Sequence, residues 1–356
     1  MKTMSRRFIG TFLTVLVVVF AGNFKLGVAQ TGEMTLLTPS EVFSKTLDSE
    51  QYNEYWNYQM YFDNGMSLYV QFSVSNFGRL KSAVSGIRVS MYGLDQEVYH
   101  INREYPIEEL RQDPVKYEFN INPRQMNIWF KGRLPESHQL YINTQKQGHR
   151  FKIELNLSDI VQGIRFNDPE FKLDDHTLGM MTHIPFARVS GTVGINDNVK
   201  TVNGVVYMDH TWQYQNSSKK LTQGYRFVRL VDSGNWENVY FMEGKTRNGV
   251  QFNGYRIHRS QGGVVKLQKI TDVKQSNPLD MTNNRFLITF SDGTKLTFEK
   301  HQVQDVASIF TDLNWVTRQV MRTILGGEIK DTRGRVQLIA DENGRREGYF
   351  NRFALN

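Results

Sequence analysis

The sequence predicts an all-β fold, and three observations predict it. Apolar and polar residues alternate with period two in one segment after another, Gly, Asn and Asp fall between those segments at turn spacing, and one stretch alone carries a helical period. The clearest strand lies at 66–75, where Met66, Leu68, Val70, Phe72 and Val74 share one face and Ser67, Tyr69, Gln71, Ser73 and Ser75 the other. Just before it, 54–62 collects Trp56, Tyr58, Met60 and Phe62 on one face, and Asp63-Asn64-Gly65 between the two segments is a hairpin turn. Strand-like stretches recur at 86–92, 116–121, 127–131, 151–157, 202–212, 225–231, 236–242, 251–258, 264–273, 286–290 and 295–300, with Ser291-Asp292-Gly293-Thr294 as a further turn. Many short strands with tight turns imply sandwiches or up-and-down barrels and disfavour an α/β architecture. The helical stripe runs through Val306, Ile309, Phe310, Leu313, Val316, Val320 and Ile324, with Asp305 as its N-cap and Gly326-Gly327 as its end. Its polar face mixes Asp312, Arg318 and Arg322, which suits a helix on a barrel wall or end better than one on a membrane.

The strand pattern breaks at 167–188, which holds Asp168-Pro169, Asp174-Asp175 and Ile184-Pro185, with neither a low-complexity linker nor an exact internal repeat nearby. Three parts are expected: a leader at 1–30, an N-terminal domain at 31–183 and a C-terminal domain at 184–356.

Composition removes whole classes of function. The 356 residues include no Cys, which excludes a disulfide scaffold, a Cys zinc site, an iron–sulfur protein and a thiol enzyme. With 39% hydrophobic and 12% aromatic residues, the chain is neither disordered nor collagen-like. Its 43 Lys and Arg against 36 Asp and Glu give a net charge of +7, but Lys2, Arg6, Arg7 and Lys25 supply four of those charges. The remainder gives no electrostatic footprint for a nucleic acid.

The N-terminus reads as a secretory signal: Lys2, Arg6 and Arg7 precede an apolar run from Phe8 to Ala21, and Gly27-Val28-Ala29-Gln30 offers small residues to a peptidase. The run is shorter than the roughly 20 residues of a spanning helix. The expected product is periplasmic or secreted and keeps no membrane span. No Cys follows to carry a lipid anchor, and Ser5-Arg6-Arg7-Phe8 resembles a twin-arginine signal only in its paired arginines.

Most catalytic motifs fail on inspection. Glu243-Gly244-Lys245-Thr246 ends like a phosphate loop, but Val239 stands where the first glycine belongs. There is no G-x-G-x-x-G opening a helix and no G-x-S-x-G elbow, and Ser217-Ser218-Lys219-Lys220 lies in a polar loop. Among the eight His residues, His176, His183 and His210 match no metal-ligand spacing, and no cofactor is expected. Asn156-Leu157-Ser158 and Asn216-Ser217-Ser218 are formal glycosylation sequons.

One segment stands out, 204–212. On a strand, His210 and Trp212 share a face with Val206 and Met208, while Tyr207 and Asp209 point away. An imidazole beside an indole can polarise or protonate an apolar ligand; equally, it can be a core histidine bonded to a carbonyl. Tyr207-Met208-Asp209-His210-Thr211-Trp212 resembles the Y-x-D-H-x-W-G signature of the carotenoid hydratase (hydroxyneurosporene synthase) and AttH-like superfamily. In the same order, Asn53-Glu54-Tyr55-Trp56-Asn57-Tyr58 with Asp63-Asn64-Gly65 is similar to that family's opening strand and turn, 184–192 to the start of its second domain, and Gly348-Tyr349-Phe350 to its last strand.

The resemblance implies two lipocalin-like β-barrel domains packed side by side, with a cavity for a long apolar molecule. Because relatives include hydratases, cyclases and lipid-handling proteins, it does not fix the chemistry. Gln213 replaces the signature's glycine. The resemblance also implies a proton-donating acid two residues after a tyrosine; matched to Tyr240, that position holds Met242, on the face of Trp236. Glu54 or His210 could replace the lost acid, Glu54 through a pKa raised by burial, or Glu54 could instead sit in water at the rim.

The expectation is an exported protein that binds an isoprenoid, polyene or acyl lipid, its pocket lined by Trp56, Tyr58, Asp209, His210, Trp212, Trp236, Tyr240 and Met242. The alternative is a cofactor-independent hydratase, isomerase or cyclase with His210 or Glu54 as acid and Tyr240 and Trp212 stabilising a cation. A third reading, a protein-binding module, would be favoured by a core packed solid with side chains.

Overall fold

The computed structural model describes residues 34–355 apart from 79–81, 122–126, 147, 215–219, 261–262, 278–279, 281–283, 309–314 and 341–343. Residues 1–30, expected as a leader, and Ser217, Ser218 and Lys219 lie outside the described residues.

Among the described residues, fourteen strands build one antiparallel sheet curled into a half-barrel. They are β1 (Met34–Leu36), β2 (Tyr52–Phe62), β3 (Ser67–Asn76), β4 (Val84–Tyr92), β5 (Tyr99–Pro106), β6 (Arg111–Asp113), β7 (Glu118–Asn120), β8 (Ile128–Lys131), β9 (His138–Lys146), β10 (His149–Ser158), β11 (Ile164–Phe166), β12 (Glu170–Leu173), β13 (His176–Ile195) and β14 (Asn198–Gln213). The main path runs β5-β4-β3-β2-β14-β13-β10-β9-β8-β7-β6. Eight more close a barrel in sequence order: β15 (Leu221–Asp232), β16 (Asn235–Thr246), β17 (Gly249–Arg259), β18 (Lys266–Gln275), β19 (Phe286–Phe290), β20 (Lys295–Ser308), β21 (Ile329–Ala340) and β22 (Gly344–Leu355). The helix α1 (Trp315–Leu325) lies between β20 and β21. This is the expected all-β architecture of two lipocalin-like units.

The β2–β3 hairpin forms at Asp63-Asn64-Gly65, with Gly65 at φ +83° and its N–H bonded to the Phe62 carbonyl at 3.0 Å. The helix begins later than its apolar stripe suggests: Asp305 and Val306 belong to β20, where a register shift between Glu299 and Gln302 and another between Val303 and Asp305 bend the strand. Those shifts break the period of two through 299–305, and Ile309, Phe310 and Leu313 of the stripe lie outside the described residues. The far end follows expectation, since the N–H groups of Gly326 and Gly327 both bond the Arg322 carbonyl.

The change of sheet falls between Gln213 and Leu221, whereas the expected boundary at 183/184 lies inside β13. Asp174-Asp175, read as part of a linker, is the hairpin turn joining β12 to β13, with Leu173 facing His176 and Asp174 at φ +55°. Ile184-Pro185 is a bulge rather than an end, between the pairs Thr182–Asp209 and Ala187–Val206.

Three apolar layers position the site. Trp56, Tyr58, Met60, Phe72, Phe119, Phe130 and Met208 lie inside the half-barrel. Tyr225, Phe227, Val239, Phe241, Phe286, Phe298 and Phe350 fill the closed barrel. Between the two sheets, Leu178, Met180 and Phe186 of β13 pack on Trp236, Tyr240 and Met242 of β16.

Candidate functional site

Antiparallel pairing sets His210 opposite Trp56 and Trp212 opposite Glu54, so all four side chains share the inner face of β2 and β14. Each is 2% exposed or less. The Glu54 carboxylate is 2.6 Å from His210 Nε2, and His210 Nδ1 is 3.1 Å from His183 Nε2. Trp56 stacks on His210 with ring centroids 4.6 Å apart, and its indole N–H bonds the Val42 carbonyl at 2.7 Å. Trp212 lies 5.3 Å from the His210 ring and donates to Glu170 at 2.9 Å. Deeper in the half-barrel, the Tyr58 hydroxyl is 2.8 Å from His138 Nε2.

Glu54 accepts from four further donors, all on the segment before β2: the Ser44 hydroxyl, the Lys45 N–H at 2.8 Å, the Thr46 N–H at 3.3 Å and the Thr46 hydroxyl at 2.7 Å. Burial alone would raise its pKa, but the hydrogen bonds from His210 and from the hydroxyls of Ser44 and Thr46 outweigh it, leaving the value below the ordinary 4.5. Glu54 is neither the protonated acid nor the water-exposed rim residue that its sequence context allowed.

Burial lowers the pKa of His210 despite Glu54, and lowers that of His183 well below the ordinary value. Both imidazoles are neutral at pH 7. Facing a carboxylate, His210 carries its proton on Nε2, so Nδ1 accepts from His183; this tautomer follows from the hydrogen-bond partners.

The remaining expected site residues lie elsewhere. Asp209, on the outer face of β14, takes the Arg226 guanidinium at 2.5 and 3.2 Å and the Asn57 amide at 2.7 Å. Arg226 also donates to the Tyr240 hydroxyl at 3.0 Å and sits over its ring at 4.2 Å. Tyr240, Trp236 and Met242 thus occupy the wall between the sheets, across β14 from Trp56, Tyr58, His210 and Trp212. One pocket does not hold all of them. Met242 does share the face of Tyr240 and Trp236, as its spacing indicated.

Sequence reasoning missed Ser44, Lys45 and Thr46, which lie in an irregular segment, and Arg226, whose strand neighbours are unremarkable apolar residues. It noted His183 only as a histidine without ligand spacing. Among the described residues, no group of three or more His, Asp or Glu is placed to hold a metal, and no helix is long and apolar enough to cross a membrane.

The half-barrel and closed barrel together make a lipocalin-type fold that several solved structures share. An AttH assigned in Nitrosomonas europaea shares it at a TM-score of 0.56 and 12% identity, over 92% of this chain and 99% of that one. CghA solved with Sch210972 shares it at 0.59 and 12%, over 91% and 98%, and kievitone hydratase from Nectria haematococca at 0.52 and 9%, over 92% and 95%. At these identities the likeness is one of fold. No protein-family model matches the chain, and no curated protein matches it in sequence.

Proposed function

We propose that this chain is an exported binding protein for a large apolar molecule, an isoprenoid, polyene or acyl lipid, held in the half-barrel beneath the segment 38–46. One observation carries the choice of binding over turnover: none of the candidate proton donors is held as a strong acid. Glu54 is ionised by its five donors, His210 is neutral, and burial pushes the Tyr240 phenol far up. Protonating an unactivated double bond needs a strong acid, and none of these supplies one at pH 7.

The segment 38–46 crosses the half-barrel with Val42 buried in its core, latched by Glu54, by Trp56 and by the Glu41–Arg165 ion pair at 2.8 Å. Trp56, Phe119 and Phe130 fill the space beneath it, with Phe119 and Phe130 stacked at 4.9 Å, and this packed interior is the observation that favours a protein-binding module instead. A ligand would displace Val42 and repack these rings, with Tyr58 as its polar contact and the His210 ring packed against it. That CghA is solved with Sch210972 supports small-molecule binding by this architecture. The basic, apolar character of 1–30 supports export.

One observation favours the second reading. Glu54, His210 and His183 in line have the composition of a relay that could deliver a general base, as a hydratase or isomerase would need. Native mass spectrometry with organic extraction of the protein from its own host separates the two. A ligand recovered unchanged after long incubation supports binding; a hydrated or cyclised product that His210→Ala abolishes overturns it.

A further inference from the structure

The lumen of the closed barrel changes character at the end where the β15–β16, β17–β18, β19–β20 and β21–β22 hairpins turn. Its middle is aromatic, but register places Arg229, Glu237 and His258 in one row across β15, β16 and β17, on the face of the lumen residues Phe227 and Val239. Arg256 faces Val239 one step deeper, and Arg346 faces the lumen residue Leu338.

Among the described residues the charges there do not balance. Glu237, 1% exposed, bonds Arg256 at 2.7 Å and lies 3.2 Å from Arg346. Among the described residues, Arg229 bonds only the neutral Asn235 side chain, at 2.8 Å. Burial and then the Arg346 charge lower the Arg229 pKa, with Glu237 and Asp232 opposing them. Burial, followed by the charges of Arg256, Lys266 and Arg346, lowers His258 to about 3, with Gln268 alone raising it. Gln268 bridges Arg256 to Asp292 on the β19–β20 turn, and Asp232, exposed at the end of β15, accepts from the Gly234 N–H. Two buried nitrogens in this group, Arg346 Nε and His258 Nε2, have no hydrogen-bond partner. Three inward guanidiniums around one carboxylate are unfavourable until another anion joins them.

We infer that this mouth of the barrel binds an oxyanion, a carboxylate or phosphate group, between Arg229, Arg346 and His258. Arg256 and Glu237 fix the geometry. Phe290, 5.3 Å from the Arg256 guanidinium, gives an apolar floor for whatever the anion is attached to. The site is distinct from the half-barrel and does not depend on what binds there.

The test is calorimetric titration of the full chain with inorganic phosphate and, separately, with decanoate at low ionic strength, with the His258 ring followed by NMR. Saturable binding of at least one is expected, at least tenfold weaker in Arg346→Met and Arg229→Gln and unchanged in Arg345→Gln, whose side chain is exposed. The His258 titration should move up when the anion is present, because a nearby negative charge favours the imidazolium. Phosphate alone would indicate a free small anion, and decanoate alone a headgroup with its tail over Phe290. No saturable binding, binding that both Arg variants leave intact, or binding that leaves His258 unmoved would overturn the inference. Should the variants fail to fold, the wild-type His258 shift decides.

Discussion

At the scale of single residues, Glu54 shows that a buried carboxylate takes its protonation state from the donors around it more than from burial. Its five donors converge from β14 and from the segment before β2, so the carboxylate is also what fastens that segment down. Glu54→Gln keeps the shape but replaces a charged acceptor with an amide whose NH2 faces other donors. Hydrogen bonds to charged groups contribute about 1.5–3 kcal/mol each, and the substitution is expected to cost about 3 kcal/mol in urea unfolding. A variant within experimental error of wild type would mean that the segment is held by something else. His210→Ala has a different signature under the binding reading. Both His210 nitrogens are bonded within the protein, so the substitution removes ring contact with the ligand, and retention of an extracted lipid should weaken by about 1 kcal/mol, measured as a roughly fivefold rise in Kd.

At the scale of elements, alternation along β14 separates two jobs: His210 and Trp212 face the half-barrel, and Asp209 clamps the closed barrel through Arg226. Removing one partner of a buried pair strands the other charge at a cost of about 3–5 kcal/mol. Asp209→Asn should therefore destabilise the chain by that much in denaturant unfolding, and a cost under about 1 kcal/mol would show that the sheets dock without this pair. Gly179 on β13 lies opposite Trp212, and a Cβ there would overlap the indole ring. Gly179→Ala should cost about 1–3 kcal/mol and change the tryptophan fluorescence; an unchanged spectrum would place the indole elsewhere. The alternation was legible in the sequence because β3 and the stretch 204–212 pair with β2 without a register shift. What was not legible follows from irregularity: the bulge at Ile184-Pro185 and the register shifts of β20 break the period of two that strand reading depends on. The grouping of Tyr240 and Met242 with His210 failed for another reason. Parity says which residues of one strand share a face, and says nothing of whether that face lines a barrel or its outer wall.

At the scale of the whole molecule, the histidines set a shared vulnerability to acid. Burial lowers His138 to about 3 and His301 to about 4, and lowers His183 and His210 below the ordinary 6.5 as well. They are spread over both units, His138, His183 and His210 in the half-barrel sheet and His301 in the closed barrel, so neither unit escapes the effect. In the unfolded chain these imidazoles take up protons near pH 6.5, whereas in the folded chain they resist until far lower pH. Between those limits the unfolded state binds more protons, so stability rises with pH and is lost as pH falls from about 6.5. Each histidine contributes roughly 1.4 kcal/mol per pH unit across its window. Glu54 adds loss of the same sign at still lower pH: its contribution is present above the ordinary 4.5 and disappears as pH falls through its depressed folded value. Unfolding free energy measured from pH 7.5 to 4.5 should therefore fall steeply from about pH 6.5. His138→Phe, which removes one such imidazole and leaves the Tyr58 hydroxyl without its partner, should lower stability at neutral pH yet reduce the slope by about one proton. A flat profile across that range would mean that these imidazoles titrate alike in the folded and unfolded chain, and that water reaches them in the native state.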